Sequence, residues 1–237
     1  MLSLDKQNTY RERHKRQRPG WRPSGEVFEA LVRKRFAAGM RVLDVGCGRG
    51  GVIELLWREA GLPVGVDPDL ASLREHRAGV RRVCGLGEAL PLAAGQFDLV
   101  LALWVLEHVA RPERLLAEAS RALRPGGRFL FLTPNARHPL LLFNRFSWAF
   151  PAVQRVLVPR LYGRAEADTF QVRYRANTLP RLRQLAAGAG FVVDSLITIS
   201  DPTYLAFNAP MFRLSTLLER LLPAGLYVHL IGDWQKA

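Results

Sequence analysis

Cysteine is scarce in this chain: only two of its 237 residues are cysteines. Cys47 and Cys84 stand far apart and show no spacing that is typical of a metal site, so we predict none. Persistent disulfides belong mainly to oxidising compartments. The simplest interpretation of this scarcity is therefore a reduced, cytoplasmic setting.

Long apolar runs are also missing. None approaches the roughly 18 apolar residues that a membrane-spanning helix needs. No secretory signal peptide is apparent either, because residues 6–18 are charged and no apolar run follows them. We therefore expect a soluble protein that touches a membrane at most from its periphery. A chain of this length can bury one substantial core, which fits a single α/β domain.

Acidic residues are too few to balance the basic ones: 21 Asp and Glu stand against 34 Lys and Arg, a net charge of +13. Nucleic acid is the first partner that such an excess suggests, because phosphates attract arginines and release counterions. Outside a basic cluster at residues 6–22, however, the positive residues are scattered through every segment. Nucleic-acid binding therefore stays an alternative, and not the favoured one.

The most informative stretch is residues 42–51, where an apolar strand runs straight into alternate glycines and then into a helical pattern. Gly46, Gly48 and Gly50 allow positive φ and bring the backbone close to a ligand, which a Cβ would prevent. Asp44 stands where it can orient the loop or meet a cationic group. Such turns also occur as plain strand-to-helix connections, so the loop alone leaves both interpretations open.

A second apolar stretch, residues 62–66, ends in Asp67 about twenty residues after the loop, where a doubly wound fold places an acid for ribose hydroxyls. The plain alternative is a turn residue before Pro68. Because the spacing matches the fold, the two segments together predict a nucleotide-cofactor site.

Strand and helix patterns alternate along the chain, which predicts a parallel sheet covered on both faces. A helix is predicted at 25–37. This alternation of strands and helices stops after Asn135 and resumes with a helix at 178–188. Strands are predicted at 41–45, 63–66, 81–84, 97–103, 128–133, 191–198 and 226–232.

Four blocks carry a resemblance to a known family: Val42 to Gly51, Gly65 to Asp69, Gly85 to Val109, and Leu123 to Asn135. Together they resemble the class I S-adenosylmethionine-dependent methyltransferases, specifically the broad group that includes quinone-biosynthesis enzymes. The resemblance implies an α/β fold with a Rossmann-like, doubly wound sheet of seven mostly parallel strands. It also implies an antiparallel last strand and a helical cap inserted late in the chain.

The resemblance implies roles around S-adenosyl-L-methionine as cofactor. Asp44 and the three glycines would cradle the methionine part, and Asp67 would take the ribose hydroxyls. Leu86 stands where the family often has an acid for the adenine amino group; it could stack on the ring or offer a backbone group, at a loss of about 1 kcal/mol. The other implied cofactor contacts are Cys47, Pro68, Gly87, Glu88 and Leu103.

Methyl transfer starts from an activated sulfonium, so proximity can supply much of the rate and a base is optional. His108 is the leading candidate base, because it follows the strand that borders the methyl group and the ordinary pKa of histidine suits proton removal. Local packing of a family-typical turn is the alternative. Residues predicted to contact the acceptor are Tyr10, Trp104, His108, Phe146 and Tyr174, and Glu107 and Tyr204 are further candidates.

We predict one methyltransferase domain over residues 1–237, composed of a basic arm (1–24), a cofactor-binding core (25–135), a cap insertion (136–177) and a C-terminal part of the sheet with a second insertion (178–237). The arm could fold over the cofactor as a flap or be disordered. The cap, rich in aromatic and aliphatic residues with interspersed arginines, could pack on the rim of the sheet or form a membrane-facing, lipid-accepting surface.

These features predict transfer of a methyl group to oxygen or carbon of a small or lipid-like acceptor. Two alternatives remain: an RNA methyltransferase, and a non-catalytic cofactor-binding or regulatory protein with the same fold.

Overall fold

The computed structural model describes residues 4–142, 171–206 and 208–237. Seven strands form one sheet. In chain order they are β1 (Arg41–Val45), β2 (Leu62–Asp67), β3 (Arg81–Cys84), β4 (Phe97–Leu103), β5 (Leu123–Pro134), β6 (Phe191–Ile199) and β7 (His229–Lys236). Six helices accompany them: α1 (Leu4–Gln17), α2 (Ser24–Arg35), α3 (Leu70–Arg74), α4 (Pro112–Ala122), α5 (Leu179–Gly188) and α6 (Ala209–Leu221).

The strand order is β3-β2-β1-β4-β5-β7-β6. Strands β1 to β5 pair in parallel, whereas β7 lies antiparallel between β5 and β6. The order reverses between β1 and β4, so the carboxyl ends of these strands open the crevice at which doubly wound sheets bind ligands. The expected seven-stranded, mostly parallel α/β sheet with an antiparallel last strand is confirmed.

Successive residues of β1 show why both faces of the sheet are covered. Val42 packs into a cluster with Phe28 and Val32 of α2, whereas Leu43 packs into a cluster with Leu115 of α4. Because side chains alternate across a strand, a strand buried on both sides must be apolar at nearly every position. Each such side chain, when fully buried, stabilises the fold by roughly 1.5–3 kcal/mol.

The segment after the glycine loop differs from the predicted helix. It forms only a short 3₁₀ turn at Val52–Leu55 before β2 begins. The end of this segment is tied to the residues before β1, because Gly39 N–H donates to the Glu59 carbonyl and Gly61 N–H donates to the Met40 carbonyl. These two hydrogen bonds fix where the segment ends, so it stays short.

The predicted bounds of the last strand, 226–232, begin before the strand that the structure shows. The chain between Pro223 and Tyr227 makes a 3₁₀ turn at Ala224–Leu226, and β7 begins only at His229. Apolar residues on both sides of this boundary concealed it in the sequence.

The basic arm is helical as α1, so the prediction of disorder is wrong for residues 4–17. The helix packs on the second insertion: the Arg11 guanidinium lies 3.0 Å from the Asp201 carboxylate, and the Tyr10 ring lies 4.9 Å from that of Phe212. Asp201 is buried, so this ion pair anchors α1 beside the residues that lead into α6.

Most of the predicted cap, including Phe146, lies outside the described residues. Within residues 4–142, 171–206 and 208–237, no helix has the length and apolar character that a membrane span requires.

Candidate functional site

The glycine loop after β1 combines tight packing with open space. Gly46 has φ 72°, and a Cβ there would lie 2.4 Å from Cγ2 of Val105, so only glycine fits. Gly48 has φ 49°, but no atom lies within 4 Å of the position its Cβ would take. The backbone at Gly48 is therefore open to a ligand, as a cofactor cradle requires.

Asp67 closes the loop against the end of β2. One carboxylate oxygen accepts the Gly48 N–H at 2.8 Å, and the other accepts the Asp69 N–H at 2.8 Å. Each oxygen has a second lone pair, so the carboxylate can still accept hydroxyl donors such as those of a ribose. The buried Asp67 thus fixes the loop and can also accept hydrogen bonds from a ligand.

Asp44 is fully enclosed at the end of β1. Burial raises the pKa of its carboxyl group to about 7, opposed by a hydrogen bond from the Ile53 N–H and assisted by the nearby Asp67 charge. A cationic group that binds beside Asp44 would favour its ionised form. The site can therefore exchange a proton for a bound cation near neutral pH.

The loop after β3 lies against the same region. Leu86 is 54% exposed, so an apolar surface stands free where the family often has an acid. A Cβ on Gly87 would lie 2.8 Å from Cγ1 of Val45, which explains the glycine. Glu88 accepts the Arg111 N–H at 2.7 Å and thereby ties this loop to the turn before α4.

Three further residues predicted to contact the cofactor differ in exposure. The thiol of Cys47 is buried next to Gly65, and burial raises its pKa to about 12. Only the backbone of Cys47 could therefore contribute. Pro68 is exposed after β2, and Leu103 is partly buried at the end of β4.

Trp104 and Tyr174, both predicted to contact the acceptor, share an unusual backbone. They have φ 58° and 51°, and they are the non-glycine residues with positive φ in the parts of the chain that the structure describes. A residue held in this region costs of order 1–3 kcal/mol, and such strain clusters at functional sites. The Trp104 N–H donates to the Leu132 carbonyl, and the Tyr174 N–H donates to the Glu107 carbonyl.

Glu107 lies buried beneath these residues. Burial raises the pKa of its carboxyl group to about 7, although the Thr133 hydroxyl donates to it at 3.0 Å. Asn177 in turn donates to the Thr133 oxygen. This chain of polar groups joins the turn after β4 to the end of β5.

His108 is half-buried beside Glu107, with Nε2 4.0 Å from a carboxylate oxygen. Its Nδ1 lies 3.3 Å from the Gln171 carbonyl. Because a carbonyl only accepts, Nδ1 must carry the proton in this contact, and the neutral ring then keeps a lone pair on Nε2. That nitrogen is the one able to take up a proton.

His229, which the sequence analysis did not single out, is brought to the same edge by strand pairing. It opens β7 opposite Pro134 of β5. Its Nε2 lies 2.7 Å from the Tyr204 hydroxyl, and its ring lies 5.0 Å from that of Trp104. Burial lowers the pKa of His229 to about 4, so the ring is neutral. No local motif marks this residue, because only the register of β7 defines its place.

Tyr10 packs on Phe212, and its predicted contact with the acceptor stays a prediction. Among the described residues, no three His, Cys, Asp or Glu side chains gather in a way that could hold a metal ion.

The strand order, the glycine loop after β1 and the acid that ends β2 together define a class I methyltransferase fold. Comparison with known proteins gives the same class. Residues 43–131 match the family described as Methyltransferase domain.

Among curated proteins, a ubiquinone biosynthesis O-methyltransferase of Coxiella burnetii is 31% identical over 141 residues, which cover 52% of this chain and 60% of the relative. The chain thus spans less than two thirds of that relative's length.

Two solved structures share the fold. The geranyl diphosphate C-methyltransferase of Streptomyces coelicolor A3(2) has a TM-score of 0.61 at 15% identity, covering 90% of this chain and 79% of its own. The 4+2 cyclase SpnF has a TM-score of 0.59 at 18% identity, covering 91% and 86%. Residues 43–131 thus match a methyltransferase domain, and the described chain has the fold of the class I S-adenosylmethionine-dependent methyltransferases.

Proposed function

We propose that the protein transfers a methyl group from S-adenosyl-L-methionine to oxygen or carbon of a small or lipid-like acceptor. One observation carries the proposal. The open glycine loop with its two buried carboxylates lies at the same edge of the sheet as the strained Trp104 after β4 and Tyr174, whose N–H donates to the Glu107 carbonyl. A cofactor and an acceptor bound there would be neighbours.

The residues that would hold the cofactor have the required chemistry. Asp67 has acceptor capacity for ribose hydroxyls, and the open backbone at Gly48 admits the chain that carries the sulfonium. Asp44 would compensate positive charge, and the exposed Leu86 offers an apolar face to the adenine ring. When bound, S-adenosylmethionine supplies an activated methyl group, so the protein must chiefly position the acceptor.

On the acceptor side, Trp104 and Tyr174 provide aromatic surface, and Nε2 of His108 would accept a proton from an acceptor hydroxyl. The neighbouring Glu107, half ionised near neutral pH, would stabilise the imidazolium that results. His108 therefore acts as the general base for an oxygen acceptor.

An apolar acceptor is supported by relatives. The two named methyltransferases act in ubiquinone biosynthesis and on geranyl diphosphate, and both names denote compounds with prenyl character. The exposed Trp104 beside the ring of His229 suits such a molecule. We also propose that the protein works in the cytoplasm, with contact to a membrane from its periphery; Cys47 and Cys84 are free thiols, as a reducing compartment requires.

RNA is the weaker candidate acceptor, because many of the arginines are engaged with carboxylates. The paired arginines are Arg11, Arg35, Arg49, Arg77, Arg121, Arg124, Arg128 and Arg181. These pairs are spread over the molecule, whereas a phosphate backbone needs a continuous track of available charge.

The test is transfer of labelled methyl from S-adenosylmethionine into a cell lysate by the purified protein, followed by separation into organic-extractable, aqueous, protein and RNase-sensitive fractions. Label in the organic or aqueous small-molecule fraction is expected, and Asp67→Ala should abolish it. Label in the RNase-sensitive fraction would identify an RNA methyltransferase. Tight cofactor binding without transfer to any fraction would identify a non-catalytic protein of this fold.

A further inference from the structure

Helix α6 buries mostly polar side chains and exposes apolar ones, the reverse of the usual arrangement. Its buried face consists of Phe212, Ser215, Thr216 and Glu219, three of which are polar. The Ser215 hydroxyl donates to the Pro202 carbonyl at 2.7 Å, and a Glu219 oxygen lies 3.4 Å from Nε2 of His138. Polar contacts, more than apolar packing, therefore fix the orientation of α6 on the body of the protein.

The opposite face of α6 consists of leucines, which we name the leucine face. Leu214, Leu217, Leu218 and Leu221 are 48%, 54%, 49% and 74% exposed. Their spacing of three, four and seven residues puts them on one side of the helix. Scattered exposed leucines need no explanation, but a continuous stripe on the outer side of a helix marks an interaction surface.

Positive charge borders this face on one side. Arg213 and Arg220 are exposed on the flank of α6. Helix α1 lies beside that flank: the Arg13 guanidinium lies over the Phe212 ring, and burial lowers the pKa of His14, with the nearby charges of Arg18 and Arg220 adding to the shift. Residues 4–22 contain seven Lys and Arg against two acidic residues. We name Arg13, Arg18, Arg213 and Arg220 the basic rim.

We propose that the leucine face and the basic rim dock the protein on an anionic lipid bilayer. An apolar helical stripe flanked by arginines is the pattern of an interfacial helix, which buries its apolar face at the headgroup boundary. Each arginine near an anionic surface strengthens binding about fivefold at moderate ionic strength. A second copy of this chain fits less well, because the basic rim offers it no complementary negative charge.

Docking through α6 is independent of the acceptor, since a bilayer could recruit the protein whatever it methylates. It would nevertheless bring the acceptor side close to the membrane. The 3₁₀ turn Pro202–Leu205, which carries Tyr204, is held to α6 by the bond between Ser215 and Pro202.

The experiment is flotation of the full chain with vesicles of phosphatidylcholine, alone or mixed with phosphatidylglycerol. We expect flotation with the anionic vesicles and little with the zwitterionic ones. The double variant Leu217→Ser/Leu221→Ser should lower partitioning about tenfold or more, because two apolar side chains leave the interface. Arg213→Gln/Arg220→Gln should lower it by up to about 25-fold, about fivefold for each arginine, and flatten its dependence on salt. Val192→Ser is the matched control, because Val192 is 56% exposed on β6, and it should change nothing.

Two further measurements keep the outcomes distinct. Cofactor affinity should be unchanged in the leucine variant. A loss of cofactor affinity would indicate that this double variant is misfolded. The single variant Leu221→Ser would then decide the test. Sedimentation velocity of the free protein reports self-association. Equal flotation of the leucine variant and the parent, or no flotation of the parent, would overturn the proposal. A concentration-dependent dimer that the leucine variant abolishes, without vesicle binding, would assign the leucine face to a second copy.

Discussion

The carboxyl edge of the sheet has two parts that are built differently. The cofactor part, which follows β1, β2 and β3, uses backbone groups and two buried carboxylates within residues 44–88. The acceptor part, at the ends of β4 and β5 and the start of β7, uses side chains of Trp104, Glu107 and His229. The first is continuous in sequence, and the second is assembled from distant segments.

This difference matches the ligands that we propose. A cofactor that is the same in every member of a family can be met by a fixed loop of glycines and an acid. An acceptor that differs from member to member is better met by side chains, which can change without disturbing the backbone. The two parts should therefore respond differently to substitution, and four predictions test this separation.

The largest expected effect is on the cofactor part. Asp67→Ala removes the acceptor for the Gly48 and Asp69 N–H groups as well as for ribose hydroxyls. Hydrogen bonds to a charged group are each worth about 1.5–3 kcal/mol, so we expect cofactor affinity to fall about 100-fold or more. Isothermal titration calorimetry measures it.

Asp98→Ala is the matched control. Asp98 also accepts a backbone N–H, that of Arg41, but it lies at the amino end of β4. This variant should lose stability and keep its cofactor affinity. Unaltered affinity in Asp67→Ala would mean that the ribose assignment is wrong.

The next effect belongs to the acceptor part. His108→Gln removes the lone pair of Nε2 that we assign to proton removal, and kcat should fall about 100-fold. Cofactor affinity should stay the same, because the ring of His108 lies beside the Gln171 carbonyl and Glu107. Steady-state kinetics and calorimetry on the same preparation give both values. Unchanged turnover would remove the assignment of His108 as base.

A smaller effect concerns pH. The folded protein without cofactor holds Asp44 with a pKa of about 7, raised by burial, and a bound cation favours the carboxylate. Affinity should therefore rise with pH, by about tenfold between pH 6 and 8 if only the ionised form binds. Calorimetry in buffers of different ionisation enthalpy should detect proton release. Asp44→Asn should flatten the profile; a profile that falls with pH would contradict the role of Asp44.

The smallest effect concerns the contact between Tyr204 and His229, the residue that the sequence did not reveal. Tyr204→Phe removes the hydroxyl next to Nε2 of His229, on whose ring Trp104 rests. The loss of one hydrogen bond, about 1 kcal/mol, should raise the KM for the acceptor roughly fivefold. Cofactor affinity should not change. A change in cofactor affinity alone would show that the two parts are not separate.

The same contrast explains what the sequence could predict. Strands β1, β3 and β4 have the predicted bounds, because each ends in a clear turn, and β1 and β4 are also largely apolar. The glycine loop and Asp67 could be predicted together, because a spacing of about twenty residues between them is typical of a doubly wound fold. The start of β7 was missed because no polar residue separates it from the turn before it.

The orientation of α6 could not be predicted either. Its leucines have the spacing of a helix that packs inward, yet they point outward, because Glu219 and Ser215 find polar partners in residues far away in the chain. His229 is likewise defined only by strand register. Local patterns thus predict elements and motifs, whereas contacts between distant segments decide which face is buried.

The position of β7 has a consequence for the order in which the protein is completed during synthesis. It is the last of the seven described strands in chain order, yet it lies between β5 and β6. Among these strands β6 pairs with β7 alone, so it joins the sheet only once β7 is made, and Trp234 of β7 also fills the space between Phe131 and Phe191. The glycine loop and Asp67 leave the ribosome long before His229 does. During synthesis, the residues that would bind the proposed cofactor are therefore made first, and His229 on the acceptor side is made after them.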